Sequence, residues 1–197
     1  MIRSGARNNK AAGNKAKKPK KVSAGYLERA ALHYLGRFSS TEENLRKVLA
    51  RKVARRNEDK QPPSDEQRGW IDTVVAKCVG YGYVDDAAYA RNRAQSLLRK
   101  GKPIRTIRQD LRYKGVPDDI AADALAMIQD ESDAGADRQA AAAYVRRRRF
   151  GAFRRLDRDS DDRCEKEKAA MMRAGFSYGL VNEILAAGED ELIALLP

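Results

Sequence analysis

Cysteine and histidine are nearly missing from this chain, which has two of the first and one of the second among 197 residues. Cys78 and Cys164 show no metal-like spacing and no second pair accompanies them, so they are expected to be reduced thiols rather than part of a disulfide framework. His33 has no acidic or nucleophilic neighbour in sequence, which reads as a structural or solvent-facing ring rather than a catalytic one. No G-x-x-x-x-G-K-[ST], H-E-x-x-H or nucleophile elbow occurs, so ATP hydrolysis, zinc proteolysis and α/β-hydrolase chemistry have no sequence support. Long apolar runs are missing too. AAAAYV at Ala140 to Val145 and LIALL near the end fall far short of the roughly 20 residues a membrane span needs. At the amino terminus basic residues lead into more basic residues and not into an apolar stretch, so the expectation is a cytoplasmic protein.

Acidic residues are missing from the first 22 positions, which hold eight of the 40 Lys and Arg residues; the body then carries 32 basic residues against 28 acidic ones. Most of the net charge of +12 therefore sits in a tail rich in Lys, Asn, Gly and Ala, with almost nothing to bury. Residues 1–23 are expected to be a disordered basic tail. Such a tail serves either as a solubilising extension or as an arm that attracts polyanions.

What is present in the body is helical periodicity, with no sustained strand-like alternation. Leu27, Ala31, Tyr34, Leu35 and Phe38 form a first apolar stripe, and Leu32 is read as buried beside it. Ser40 with Glu43 reads as a capping box opening a helix whose buried face is Leu45, Val48, Leu49 and Val53. Ser64 with Gln67 suggests a second box before Trp70, Ile71, Val74, Val75 and Cys78, with a stop at Gly80 or Gly82. Asp85 or Asp86 caps the next helix, and Gly101 is its left-handed stop. Pro103 then starts a helix bearing Ile104, Ile107 and Leu111, ended by Gly115, and Pro117 opens another with Ile120, Ala121, Ala124, Leu125 and Ile128. The remainder offers Ala140, Ala141, Tyr144 and Val145, a charged link from Phe150 to Arg163 expected to be mobile, then Met171, Leu180, Val181, Ile184 and Leu185.

Part of this pattern recurs. Aligning LRYKGVPDDIAADAL (Leu111 to Leu125) with MMRAGFSYGLVNEIL (Met171 to Leu185) places Gly115 on Gly175, Ile120 on Leu180 and Leu125 on Leu185. A helix, a glycine stop and a second helix are used twice, as in repeat proteins. The fold class expected is all-α: three tandem three-helix bundles forming an elongated, curved molecule, with units at residues 24–83, 84–131 and 132–197. The apolar faces suffice to close each unit internally, which favours a monomer.

Three basic clusters are the candidate binding residues. Arg99, Lys100, Lys102, Arg105, Arg108, Arg112 and Lys114 face one acid, Asp110; Arg105, Arg108 and Arg112 share a helix face, and the run begins at a helix start that itself favours anions. Arg146, Arg147, Arg148 and Arg149 cover most of a helix circumference and cannot all pack on a core, with Asp157, Asp159, Asp161 and Asp162 available as internal counter-charges. Lys52 and Arg55, with Lys47, Arg51 and Arg56, make a third strip. Each cluster reads either as a solvated face or as a surface for phosphates or acidic protein. The acid pairs Asp85–Asp86 and Asp118–Asp119 could hold a metal, but their positions at helix starts make capping the better reading. Tyr34, Phe38, Trp70, Tyr89 and Tyr144 are expected in the core, with Tyr81, Tyr83, Tyr113 and Phe153 undecided; contacts by charge and shape are expected, with little base-specific readout.

Ala31 to Leu35 followed by Ser39 to Leu49, then GYGYVDDAAYA from Gly80 to Ala90, then LRYKGV from Leu111 to Val116, resemble the RecX family of recombinase regulators. The resemblance spans roughly residues 26–187; a long loop around Pro62 and a charged insertion in the third unit depart from it. It implies a protein that binds along the groove of a RecA filament on single-stranded DNA, impedes strand exchange and ATP hydrolysis and favours disassembly, without catalysis or cofactor and with weak non-specific DNA binding. A helix-turn-helix repressor, marked by sequence-specific duplex binding, and a magnesium-dependent nuclease are the competing classes.

Overall fold

The computed structural model describes residues 22–130, 135–154 and 161–196, and all regular structure among them is helical. Residues 1–21 of the expected tail, and residues 155–160 of the charged link, lie outside the described residues.

The first three helices, α1 (Ala24–Leu35), α2 (Glu42–Ala54) and α3 (Asp65–Gly80), close around Leu27, Ala31, Leu45, Leu49, Val53, Ile71, Val74, Val75 and Cys78. Ser23 opens α1 by accepting the Tyr26 N–H, and Ser64 with Gln67 forms the expected reciprocal box at α3. The start of α2 differs. Thr41, not Ser40, accepts the Asn44 N–H, while buried Ser40 takes the Asn44 side-chain amide and Glu43 turns to Lys47 instead of completing a box. Phe38 is 57% exposed and Leu32 48%, against the expectation for both. Phe38 lies past the Gly36 end of α1, so it has left the helical register of the stripe, and its ring tilts against Tyr34.

Next come α4 (Asp86–Arg99), α5 (Ile104–Tyr113) and α6 (Asp118–Asp130), with Ala90, Ala94, Leu98, Ile107, Leu111, Ala121, Ala124, Leu125 and Ile128 buried. Asp85 caps α4. The chain then forms α7 (Ala136–Arg148), a 3-10 turn (Gly151–Phe153), α8 (Asp161–Ala174), α9 (Tyr178–Ala186) and α10 (Glu189–Ala194). Residues 150–154 of the charged link are not loose. Arg154 grips Glu167 through Nε at 3.0 Å and a terminal nitrogen at 2.8 Å, and the Gly151 N–H also donates to Glu167. The two side chains are 17% and 7% exposed, and burial of a carboxylate needs this degree of satisfaction. The helices from α4 to α10 share one continuous apolar core, whereas α1 to α3 have their own.

The helical groups are joined by a device that appears twice. At the start of α2, the Glu42 N–H donates to Asp86 of α4 at 2.9 Å, and the Thr41 hydroxyl donates to the Lys114 carbonyl at the end of α5 at 2.6 Å. At the start of α5, the Ile104 N–H donates to Asp137 of α7 at 2.7 Å, and the Thr106 hydroxyl donates to the Ala174 carbonyl at the end of α8 at 3.1 Å. In each joint an acid from the next group's first helix caps a second helix, and a threonine satisfies a free carbonyl of the next group's second helix. Gly115 (φ +79°) and Gly175 (φ +106°) follow those carbonyls. A Cβ on Gly115 would lie 2.7 Å from Glu43 carbons, and one on Gly175 3.0 Å from the Thr106 hydroxyl. The recurrent glycine of the sequence therefore permits both the helix stop and the close approach of the preceding group.

Candidate functional site

Helix α5 presents its apolar stripe inward and its cations outward. Ile107 and Leu111 are fully buried, while Arg105, Arg108 and Arg112 are exposed on the other side. Arg112 donates to Asp118 at the start of α6 at 3.2 Å, an exposed pair worth little. Arg105 and Arg108 make no ion pair among the described residues. The acid in this run, Asp110, is taken by Arg93 of α4 in a two-bond fork of 2.8 and 2.9 Å. Arg93 was not singled out in the sequence, because 17 residues separate the partners and nothing local signals the fork. Arg99 and Lys100 are exposed at the end of α4, and Lys102 and Lys114 are half-buried, close enough to Asp110 to favour its charge. The α5 start does hold an anion, but one from the chain itself: the Ile104 N–H donates to the Asp137 carboxylate.

The Arg93 fork holds the Asp110 carboxyl below the usual carboxylate range, with burial opposing. A lowered folded-state pKa means that this stabilisation is present above the unfolded-state pKa and is lost as pH falls through the folded one. Asp86 behaves oppositely, since burial pushes it up more strongly than the Glu42 N–H pulls it down; its contribution is largest at low pH and is lost as pH rises through its folded-state pKa. Urea unfolding of Asp110→Asn is therefore expected to show a smaller loss of stability between neutral pH and about pH 2 than the parent protein shows. An unchanged acid limb would contradict the fork's role.

Arg146, Arg147, Arg148 and Arg149 are all exposed at the end of α7, where Arg149 adopts a left-handed cap (φ 58°). The Arg147 and Arg148 guanidinium groups lie 5.8 Å from the Tyr144 ring centre, at the outer range of a cation–π contact. Asp162, expected as a counter-charge, instead pairs with Lys166 at 3.5 Å; Asp157 and Asp159 lie outside the described residues, as does the side chain of Asp161.

On α2, Lys52 is half-buried and Arg55 is exposed at the C-terminal cap. Arg56 stacks 3.6 Å over the Tyr26 ring, and Lys47 pairs with Glu43 at 3.2 Å. Lys47 and Arg51 face Tyr113 and Lys114 of α5 across an open cleft of about 620 Å³ beside the first joint. The clusters from α2 and α5 are thus partly brought together, whereas the arginines closing α7 stand apart in sequence and at another helix end.

The acid pairs have structural duties. Asp85 caps α4, Asp86 caps α2, and Asp118 meets Arg112. Among the described residues no group of three or more His, Cys, Asp or Glu side chains could hold a metal, and no helix is long and apolar enough to cross a membrane. Cys78 is buried and its thiol is pushed up, mainly by that burial, so it is a poor nucleophile at neutral pH.

Residues 85–125 match the sequence profile described as RecX, second three-helix domain. A protein of Myxococcus xanthus named regulatory protein RecX is 38% identical over 86% of this chain and 89% of its own length. One of the same name from Agrobacterium fabrum is 32% identical over 84% of this chain and 85% of its own length. The crystal structure of RecX from Lactobacillus salivarius superimposes with a TM-score of 0.58 over 87% of this chain and 97% of that one, at 22% identity, a likeness of fold. Helices, repeat and extended identity converge: the chain belongs to the RecX family of regulatory proteins.

Proposed function

We propose that this protein is a non-catalytic regulator of recombination and the DNA-damage response, which binds in the groove of a RecA filament on single-stranded DNA and slows its strand exchange and ATP hydrolysis or promotes its disassembly. One observation carries the reading furthest. In a chain of this family, α5 turns outward two arginines, Arg105 and Arg108, that make no ion pair among the described residues, beside exposed Arg99 and Lys100. Such a one-signed face suits a phosphate backbone or an acidic protein surface and attracts it over a Debye length. Helical groups divided at residues 24–83, 84–131 and 132–197, the second and third sharing one apolar core, would give an extended surface that can follow another helical assembly. The remaining candidate cations, Lys52, Arg55 and Arg146 to Arg149, extend that surface, and weak non-specific DNA binding by a monomer accompanies it.

ATP hydrolysis by preassembled filaments tests the proposal. Substoichiometric protein is expected to lower the rate more than a matched basic protein does. Sequence-specific duplex binding with no effect on filaments would move the assignment to a repressor, and magnesium-dependent DNA cleavage abolished by Asp85→Ala to a nuclease.

A further inference from the structure

Beside the first joint, the end of α5 and the middle of α2 form a cleft of about 620 Å³ lined by Asn44, Lys47, Ala50, Arg51, Tyr113 and Lys114. That volume falls within the roughly 300–1,000 Å³ of small-molecule sites. Tyr113 is 81% exposed, more than any other large hydrophobic side chain among the described residues. Its neighbours in the chain are fixed: Leu111 is fully buried, the Lys114 carbonyl holds the Thr41 hydroxyl at 2.6 Å, and Gly115 abuts Glu43. The ring is thus presented to solvent from a rigid base.

Cations surround it. The Lys114 ammonium stands 5.6 Å from the ring centre, and Lys47 and Arg51 project from successive turns of α2 into the same cleft. Arg51 is oriented by donation from Nε to the Lys47 carbonyl at 3.3 Å, and Lys47 shares its charge with Glu43. Among the described residues no carboxylate lines the cleft itself, Glu43 lying behind Lys47. The second joint lacks this combination, because the sequence repeat places Arg173 where Tyr113 stands.

We infer that the α2–α5 cleft is a subsite for single-stranded nucleic acid, in which an unpaired base stacks on Tyr113 while the adjoining phosphates meet Lys47, Arg51 and Lys114. An exposed ring flanked by cations offers what a nucleotide has, a flat π-face beside a negative charge. A duplex cannot use the ring, since its bases are already stacked. The charge-and-shape expectation for this protein is thereby extended by one aromatic contact that favours unpaired bases without reading their identity.

The test needs no recombinase, so its failure leaves the filament reading to be decided by ATP hydrolysis. Fluorescence anisotropy of the full chain would compare a labelled oligothymidylate with an abasic oligonucleotide of equal length and charge. The parent protein is expected to prefer the base-containing strand about tenfold. Tyr113→Ala should erase that preference and Tyr113→Trp should keep it, each with an unchanged helical circular-dichroism signal. Arg51→Gln should instead lower the salt dependence by about 0.7 in log–log slope and leave the preference intact. Equal binding of the two strands by the parent protein, or a preference retained by Tyr113→Ala, overturns the inference. A poly-glutamate chain binding as tightly as the oligothymidylate also overturns it, in favour of an acidic protein partner.

Discussion

Replacing Arg105 and Arg108 together by Glu is expected to weaken filament inhibition on the order of 30-fold at about 0.1 M salt, with the helical circular-dichroism signal unchanged. Each phosphate contact to a single strand contributes a slope of about 0.7, which at that ionic strength is a several-fold factor per contact, and two are removed. The fold should survive because both side chains point away from the buried Ile107 and Leu111 stripe and neither makes an ion pair among the described residues. Arg112→Glu alone should do less, since Arg112 already shares its charge with Asp118. Inhibition titrated against ATP hydrolysis separates the cases. If the double variant inhibits as the parent does, α5 is not the contacting face.

Gly101→Ala is expected to cost about 3–4 kcal/mol and to lower the melting temperature by about 10 °C. Two effects add. Gly101 has φ +70°, where an L side chain costs roughly 1–2 kcal/mol, and its added Cβ would lie 2.6 Å from the backbone nitrogen of Tyr144 and 2.9 Å from the carbonyl oxygen of Ala140. Those atoms belong to a helix backbone and cannot swing aside as a side-chain tip can, so the α4–α5 turn must part from α7. Gly82 provides the control. Its φ is +71°, yet nothing lies within 4 Å of its Cβ position, so Gly82→Ala should cost only the conformational part, about 1–2 kcal/mol. Equal losses in the two variants would show that close packing on α7 is not what requires the glycine.

The helices themselves were legible in the sequence because their signals are local. Apolar spacing marked Leu45, Leu49, Ile107, Leu111, Leu125 and Ile184, all of which are buried, and glycine marked the stops at positions 101, 115 and 175, while the choice between Gly80 and Gly82 stayed open until the fold gave the positive φ to Gly82. The joints were not legible. Asp86 and Asp137 cap helices that begin 44 and 33 residues earlier, and no spacing rule connects an acid to an amide at that separation. The same limit hid Arg93 as the partner of Asp110, and it placed the α2 cap one residue early: Ser40 and Thr41 are both good caps, and the choice is made by Lys114, 73 residues beyond Thr41. Charge is readable as composition, but its pairing is not: sequence makes Arg112 equivalent to Arg105 and Arg108, whereas the fold sets Asp118 beside it. The helical period puts Tyr113 on the face opposite Ile104, Ile107 and Leu111, but its place beside Lys47 and Arg51 could be read only from the folded chain, because more than 60 residues separate them.

ATP hydrolysis by RecA filaments preassembled on single-stranded DNA, followed while this protein is added at substoichiometric amounts, tests the central claim most directly. A fall in rate well beyond that caused by a matched basic protein, and largely lost in the Arg105→Glu, Arg108→Glu variant, is the expected result. A rate that falls no further than with the basic control would contradict filament regulation by this protein.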